Sequence, residues 1–413
     1  MNVAMTNAAA PSPSPNLVLG QRWCLLVGVV SLAALIAGGI FDPPQFFRAY
    51  LSAHLFFFGI GMGSMLLVMI YHITGGAWGF LIRRILEAGM ATLPLLALGF
   101  VPIALGVGYL YPWAQPNAGA SSELIRFQQP YMNPPSFAAR AAGYFTVWLA
   151  IAYLLSAGSR AQDRTGNRWL AWRLDGLSGL GLVVYGITIH FAALDWLMSL
   201  DPAFHSTIFA PLMASGHLLS GLALALIVLA AFRRREKLSR VISSKALNDL
   251  GNLLLSFVIV WTYMCWFQYM LIWIANLPVD VVWYAPRLVG GWKWVALMLL
   301  ILHFVVPLLL LLQRAVKQNL RALAGVAALL LVMQWVFMVF QVEPAFPTAN
   351  RLVDHWMDFV APLALGGIWF GFFLRQLRQH PLLPTHDLNE LSAVRLRHTD
   401  EEEAALEEAL SHG

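Results

Sequence analysis

The chain has 413 residues, of which 59% are hydrophobic and only 11% are charged, and its net charge is +5. Soluble domains average about 25% charged residues, so this composition excludes an ordinary soluble fold. Repeated apolar runs of roughly 20 residues match the thickness of the hydrocarbon core of a bilayer. The sequence therefore predicts an all-α polytopic membrane protein, because a helix satisfies its backbone polar groups within one segment.

In chain order, three regions are predicted. Residues 1–21 are rich in Ala, Ser and Pro and predict a disordered N-terminal tail, residues 22–378 form the membrane domain, and residues 379–413 form a cytoplasmic tail that ends in an acidic run. Ten transmembrane helices are predicted at about 22–40, 48–73, 82–108, 138–157, 177–199, 204–231, 247–275, 292–313, 320–341 and 356–377.

The basic residues indicate the orientation of these spans. With the N-terminus in the cytoplasm, 20 of the 26 Lys and Arg residues fall on the cytoplasmic side and 6 on the outer side. Cytoplasmic loops carry the excess of basic residues, so both termini are predicted to be cytoplasmic. The positive net charge comes mainly from these cytoplasmic Lys and Arg residues, and we predict no nucleic-acid partner.

Cofactor signatures are lacking in the sequence. Cys24 and Cys265 lie in apolar spans and predict small buried hydrophobes rather than a disulfide or a metal set. His190 and His205 stand near the spacing of a haem-binding pair, but Pro202 breaks the helix between them. The sequence predicts no catalytic residue, no metal site and no cofactor bound by this chain.

Polar residues inside the spans are the candidate functional residues. Each ionisable group in hydrocarbon costs at least a few kcal/mol, so such groups usually line a path or a site. We predict a proton path in two halves. The outer half comprises Asp195, His190 and His54, the inner half comprises His72, Glu87, Asp249, Asn252 and Ser256, and His217 and His303 lie near the gap. For any single histidine, a structural hydrogen bond is the alternative.

Helices 3 and 7 begin alike. Arg83 and Glu87, and likewise Lys245 and Asp249, place an acid four residues after a base, where the two meet on one helix face. This hints that helices 2–5 and 6–9 repeat one four-helix unit. On helix 7, the helical spacing predicts one water-holding stripe at Asp249, Asn252, Ser256 and Tyr263.

Four stretches between residues 50 and 390 carry a family resemblance. They are Asp195–Leu200 with Ser206–Phe209, His72–Trp78 with Arg83–Glu87, Phe267–Trp273 with Asn276–Pro278, and Pro381–Pro384 with Asp387. Together they resemble the ActF-type integral membrane subunit of bacterial alternative complex III, within the NrfD-like superfamily of polysulfide-reductase-type anchors. The family usually has two acids after the residue matching Pro278, where this chain has Val279 and Asp280.

The resemblance implies two four-helix bundles, helices 2–5 and 6–9, and two flanking helices in a bacterial inner membrane. It implies a cofactor-free subunit of a complex that oxidises quinol or menaquinol and passes electrons to a periplasmic carrier or a terminal oxidase. The implied partners are a related ten-helix membrane subunit, an iron–sulfur subunit of molybdopterin-enzyme type and multihaem cytochromes c, besides lipid. Iron–sulfur clusters and haem c would reside in those partners.

The family assigns this subunit a structural or proton-conducting role. Three alternatives remain open on the sequence. They are a purely structural scaffold, the quinone-binding anchor of a molybdenum-type reductase, and a stand-alone secondary transporter.

Overall fold

The computed structural model describes residues 15–165, 167–233, 241–346 and 355–379. Its regular structure is helical, with no β-strand in those ranges, and ten helices are long and apolar enough to cross a membrane. The predicted class, an all-α polytopic membrane protein with ten transmembrane helices, is confirmed. Residues 380–413 of the predicted cytoplasmic C-terminal tail and the first 14 residues of the predicted N-terminal tail lie outside the described residues.

Ten long helices cross the molecule. They are α1 Pro15–Phe41, α2 Pro43–Thr74, α3 Ala77–Leu105, α4 Pro134–Thr165, α5 Arg168–Trp196, α6 Phe209–Phe232, α7 Ser244–Ala275, α8 Trp292–Leu312, α9 Leu320–Val342 and α10 Trp356–Gln379. Most ends agree with the predicted spans within a few residues. The side of the molecule on which α2 begins is the predicted outer side, and the opposite side is the predicted cytoplasmic side.

Among the helix starts that differ from the prediction, that of α5 differs most, at Arg168 instead of about 177, and those of α1 and α6 have local reasons. α1 begins at Pro15, inside the predicted tail, because proline fits the first turn of a helix. α6 begins at Phe209 rather than near residue 204, because the Asp201 carboxylate accepts a hydrogen bond from the Ala203 amide at 3.1 Å and holds a turn there. His205 therefore lies in the connection, exposed, and not on α6.

α2 is the central helix. Nearly all of its most apolar stretch is buried, and it packs against α3, α5, α6, α9 and α10. At its start, Pro43 occupies the first turn and the Asp42 carboxylate accepts a hydrogen bond from the Gln45 amide at 3.1 Å. A helix that is apolar on all faces belongs in the interior, and α2 has that position.

The closest helix pairs meet at glycines. A methyl carbon built on Gly63 of α2 would lie 1.7 Å from the His217 carbonyl oxygen of α6, and one built on Gly221 would lie 2.6 Å from the Gly63 carbonyl carbon. α1 and α10 approach as closely, since a methyl carbon on Gly28 would lie 2.6 Å from the Ile368 nitrogen. Membrane helices associate through such close packing because lipid supplies no hydrophobic drive between them.

Contacts between helices occur within both predicted groups and between them. In the first group α2 packs on α3 and α5, and α4 packs on α5; in the second, α6 packs on α7 and α9, and α7 packs on α8. The groups join through α2 with α6 and α9, and the α1–α10 pair packs on α2. The division into two bundles and the cytoplasmic termini stay predictions.

The Gly63–Gly221 crossing makes a testable prediction. Gly63→Ala places a methyl group on a backbone carbonyl that cannot rotate away, so α2 and α6 must separate. We expect a loss of about 1–3 kcal/mol or more, as for other overpacked cores. The measurement is the thermal midpoint of the purified protein in detergent. Gly143→Ala on α4 is the matched control, because nothing lies within 4 Å of its added methyl, and an equal loss in both variants would contradict the prediction.

Candidate functional site

A buried ion pair ends α5 on the predicted outer side. Asp195 is 0% exposed, and Arg140 of α4 donates to both of its carboxylate oxygens at 2.9 Å. The Tyr144 hydroxyl, one turn along α4, donates to the same carboxylate at 2.9 Å. The Arg140 guanidinium also lies 3.8 Å from the centre of the Tyr131 ring. The bidentate geometry and the extra donor satisfy a charge that would otherwise be too costly at this depth.

A small cavity lies beside the same end of α5, although Asp195, Arg140 and Tyr144 are not among its lining residues. Its volume is about 20 Å³, and its lining includes Ala192, Trp196 and Met213 together with the ring of His217. The Trp196 indole N–H has no hydrogen-bond partner among the described residues. A space of this size holds about one water molecule, and two polar groups line it.

His217 lies at the middle of the molecule. It is 6% exposed, and its Nδ1 lies 2.8 Å from the Tyr185 hydroxyl of α5. Its ring also packs edge-on against Phe58, with ring centroids 5.6 Å apart. A methyl carbon on Gly59 would lie 3.0 Å from the His217 ring, which places the ring beside that turn of α2. The sequence singled out His217 and missed Tyr185, its partner.

His54 is buried in an aromatic stack one to two turns nearer the outer side. Its ring stacks with Tyr50 and Phe58 at centroid distances of 6.2 and 6.5 Å. Its Nε2 has no hydrogen-bond partner among the residues the structure describes. With a rise of about 1.5 Å per residue, His54 lies about 7 Å along α2 from Gly59. His54 and the ring of His217, which belongs to α6, therefore lie at successive levels along α2.

A second charge cluster lies on the predicted cytoplasmic side. Arg83 donates to Glu87 at 3.0 Å, which confirms the predicted i, i+4 pair, and Arg84 donates to the other Glu87 oxygen. Ser159 of α4 donates to Glu87 at 2.6 Å, and Arg84 also pairs with Asp163. A cavity of about 70 Å³ reaches Arg84 and Glu87. Sequence reasoning found Glu87 but not its partners on α4.

The remaining inner-half residues are divided between two places. His72, at the end of α2, lies 3.0 Å from the Ser178 hydroxyl through its Nδ1. Asp249, Asn252 and Ser256 occupy exposed positions of α7, and the Lys317 ammonium donates to Asn252 at 2.7 Å. The helical spacing correctly placed the α7 residues on one face. That face is exposed on the surface of this chain, so whether the stripe holds water stays a prediction.

His303 lies in a distorted turn of α8. Residues Leu300–Val305 form a π-helical segment, and such insertions into a helix are frequent at functional sites. The imidazole is 0% exposed and packs edge-on against Trp261 at 3.9 Å between ring centroids. Neither of its ring nitrogens has a hydrogen-bond partner in the described part of the chain, and the same is true of both polar atoms of Gln268. This is an unsatisfied polar region in the second group of helices.

His190 lines a groove on the outside of the molecule. The groove runs between α5 and α6, has a volume of about 660 Å³, and is lined mostly by apolar residues with Tyr185 and Thr207. His190 is half-buried there, and no hydrogen bond or ring contact among the described residues joins it to the Asp195 cluster. The structure therefore does not support the predicted grouping of His190 with Asp195.

An aromatic cap covers the α5–α6 connection. Tyr111, from the loop after α3, is 0% exposed and donates its hydroxyl to the Trp196 carbonyl at 3.0 Å. Its ring packs against Trp113 and Phe137. Burial and the nearby Asp195 carboxylate raise the pKa of Tyr111 well above its usual value. Part of the loop after α3 therefore caps this connection.

Comparisons with known proteins give no identification. No family model matches the chain, and no curated protein matches it. The fold and the site define a class, a polytopic α-helical membrane protein with a buried ion-pair cluster toward each end of its first helices. The side chains of Val279 and Asp280, where the chain departs from the resembled family, lie outside the described residues.

The Arg140–Asp195 pair gives a second prediction. Asp195→Asn leaves the guanidinium without its counter-charge, and breaking a buried pair this way costs about 3–5 kcal/mol. In a double-mutant cycle with Arg140→Gln, measured by denaturant unfolding in detergent, we expect the two losses to be strongly non-additive. Losses that add within about 0.5 kcal/mol would contradict the coupling.

Tyr111 gives a third prediction, which concerns the pH dependence of stability. Its folded-state pKa is raised above the unfolded value of about 10, so its contribution to stability is present below about pH 10 and is lost above it. Tyr111→Phe should lose about 1 kcal/mol near neutral pH, from the missing hydrogen bond, and this deficit should narrow above about pH 10. Thermal midpoints across this range test it. Tyr109→Phe is the control, because Tyr109 is 50% exposed in the same loop. A deficit constant with pH would contradict it.

Proposed function

We propose that this chain is a cofactor-free integral subunit of a quinol-oxidising respiratory complex of the alternative complex III type, in a bacterial inner membrane. In this role it supports assembly of the complex and conducts protons coupled to quinol oxidation. The observation that carries the proposal is the Asp195 cluster. Asp195, which begins the first stretch of the resemblance, is a fully buried carboxylate, and the next residue, Trp196, lines a cavity that His217 also lines.

The outer half-path of the proposal runs through three contacts. Asp195 is held by Arg140 and Tyr144, the adjacent residue Trp196 lines a small cavity together with His217, and His217 meets the Tyr185 hydroxyl. Hydroxyl and imidazole groups both donate and accept hydrogen bonds, so each can pass a proton and then be restored. His190 has no part in this path, and His54 joins it only through the aromatic stack on α2.

The inner half-path begins at the cavity beside Glu87. That carboxylate, with Arg83, Arg84 and Ser159, forms a hydrogen-bonded network which is open on one side to about 70 Å³ of space. Acidic residues linked to other polar groups form proton relays in membrane proteins, and the hydrogen bonds hold this network in fixed geometry. In this proposal the network on α3 and α4 forms the inner half-path, and the α7 residues Asp249, Asn252 and Ser256 have no part in it.

The exposed polar face of α7 supports a place within a complex. Four residues of α7 with polar groups lie exposed, namely Asp249, Asn252, Ser256 and Tyr263. Most other exposed residues of this helix beyond its first turn are large and apolar. Polar side chains do not face lipid tails without cost, and membrane subunits use such residues to hydrogen-bond a neighbouring helix. We assign this face to the related ten-helix membrane subunit that the family resemblance implies.

A second candidate function is a pure scaffold. It is favoured by the complete pairing of Asp195, because a carboxylate that accepts two guanidinium hydrogen bonds and one hydroxyl hydrogen bond is a stable clamp of the α4–α5 packing. In that function the buried polar groups satisfy one another and no proton moves. The two functions differ in what happens when a carboxylate is replaced by its amide.

The assembly part is tested by purification of the chain from its native membrane in mild detergent. We expect haem c and iron–sulfur proteins to co-purify with it, seen as reduced-minus-oxidised absorption and by mass spectrometry. Asp249→Leu together with Asn252→Leu should reduce the recovery of a second polytopic subunit. Isolation of the wild-type chain without any redox partner would overturn the proposal.

The proton part gives a fourth prediction. In complexes reconstituted into vesicles, Glu87→Gln and Asp195→Asn should lower the number of protons released per electron, while the complex still assembles and oxidises quinol. Glu123→Gln is the matched control, because Glu123 is an exposed carboxylate paired only with Arg126 on the surface. An unchanged proton yield in both test variants, with assembly intact, would favour the scaffold.

A further inference from the structure

A cluster of ligand-type side chains lies apart from the predicted proton path. It comprises Glu343 at the end of α9, and His355 and Asp358 at the start of α10, on the predicted outer side. One ligand atom from each residue can be chosen so that all three lie within 4.8 Å of one another. No sequence spacing marks these residues as a metal motif, so the sequence predicted no metal here.

Burial separates this cluster from an ordinary surface group of acids. Glu343 is 1% exposed and Asp358 is 3% exposed. Both carboxylate oxygens of Glu343, and the Oδ1 of Asp358, accept no hydrogen bond from the residues that the structure describes. A buried carboxylate without donors costs several kcal/mol unless a cation is close, so these oxygens point to a missing positive partner.

Among the described residues, the cationic groups nearby compensate only part of the charge. The Arg48 Nε of α2 lies 3.7 Å from Glu343, which balances one of the two carboxylates without forming a hydrogen bond through that nitrogen. His355 Nδ1 lies 2.7 Å from Asp358 and 3.9 Å from Glu343. When the imidazole is neutral, Arg48, Glu343 and Asp358 together carry one uncompensated negative charge.

The ligand chemistry selects the class of ion. Two carboxylates and one imidazole are the donors that bind Zn²⁺, Mn²⁺ or Fe²⁺, whereas Mg²⁺ and Ca²⁺ prefer oxygen donors alone. Metal–ligand bonds of about 2.0–2.2 Å bring opposite ligands to within about 4.4 Å, so small side-chain rotations would bring these three groups onto one ion. The Trp292 ring packs edge-on against His355, with ring centroids 5.7 Å apart, and limits how far the imidazole can turn.

We propose that Glu343, His355 and Asp358 bind one divalent transition-metal ion of the Zn²⁺ class. The ion neutralises the charge that Arg48 leaves uncompensated. It also joins the end of α9 to the start of α10, beside the start of α2. The site is separate from the Asp195 and Glu87 clusters and serves the stability of this corner of the fold, whatever the chain conducts.

The test uses the full chain purified in detergent and stripped with a chelator. After equilibrium dialysis against Zn²⁺, we expect about one tightly held ion per chain by elemental analysis, and a rise in thermal midpoint on binding. His355→Gln and Glu343→Gln should each weaken binding at least tenfold, since even second-shell losses around a metal cost about 10–100-fold. Glu123→Gln, an exposed carboxylate elsewhere on the predicted outer side, should bind as the wild type does.

Binding of Co²⁺ to the wild-type chain gives a second test, which does not depend on the folding of any variant. Co²⁺ bound to the wild-type chain should show visible ligand-field absorption, and Zn²⁺ should displace it one for one. Absence of a stoichiometric ion in the wild type would overturn the proposal. So would Zn²⁺ uptake that folded His355→Gln and Glu343→Gln variants retain at full affinity.

Discussion

The backbone contact between α2 and α6 is the constraint on which the rest of the structure depends. The His217 carbonyl oxygen occupies the space where a side chain at Gly63 would be, and Gly221 lies against the same turn. Because hydrocarbon surrounds the helices, close packing rather than hydrophobic burial holds them together. The same contact places the His217 ring against Gly59 and within 2.8 Å of Tyr185. Helix packing thus decides where the central polar groups lie.

The charged side chains lie toward the two ends of the helices, and the uncharged polar groups lie near the α2–α6 crossing. The deep carboxylates with strong donors, Asp195 and Glu87, have guanidinium groups beside them, whereas the middle of the molecule holds neutral-type groups such as His217 and Tyr185. A full charge at mid-membrane would need a partner of its own, and an imidazole does not. The arrangement supports a path with fixed charges at both ends and exchangeable protons between them. The same paired charges also stabilise a rigid scaffold, and the two functions differ in whether protons move.

Sequence reasoning succeeded where the controlling interaction is local. The ten spans follow from apolar runs, and the Arg83–Glu87 pair follows from a four-residue spacing on one helix. It failed where a partner is remote. Arg140 lies 55 residues from Asp195, and nothing in its own neighbourhood distinguishes it from the other basic residues near a span end. On α7, the spacing showed that Asn252 shares a face with Asp249, but a period cannot show which way that face points.

The sequence by itself determined the class of this protein, the number and approximate ends of its helices, and the stretch around Asp195 as the place to look. Those are consequences of backbone hydrogen bonding and of transfer from water to hydrocarbon, which each segment undergoes on its own. The tertiary structure alone decided that Asp195 is clamped, that the polar face of α7 is exposed, and that Glu343 meets His355. Each of these requires two helices to approach, and the approach is set by the small side chains and backbone contacts at their crossing points.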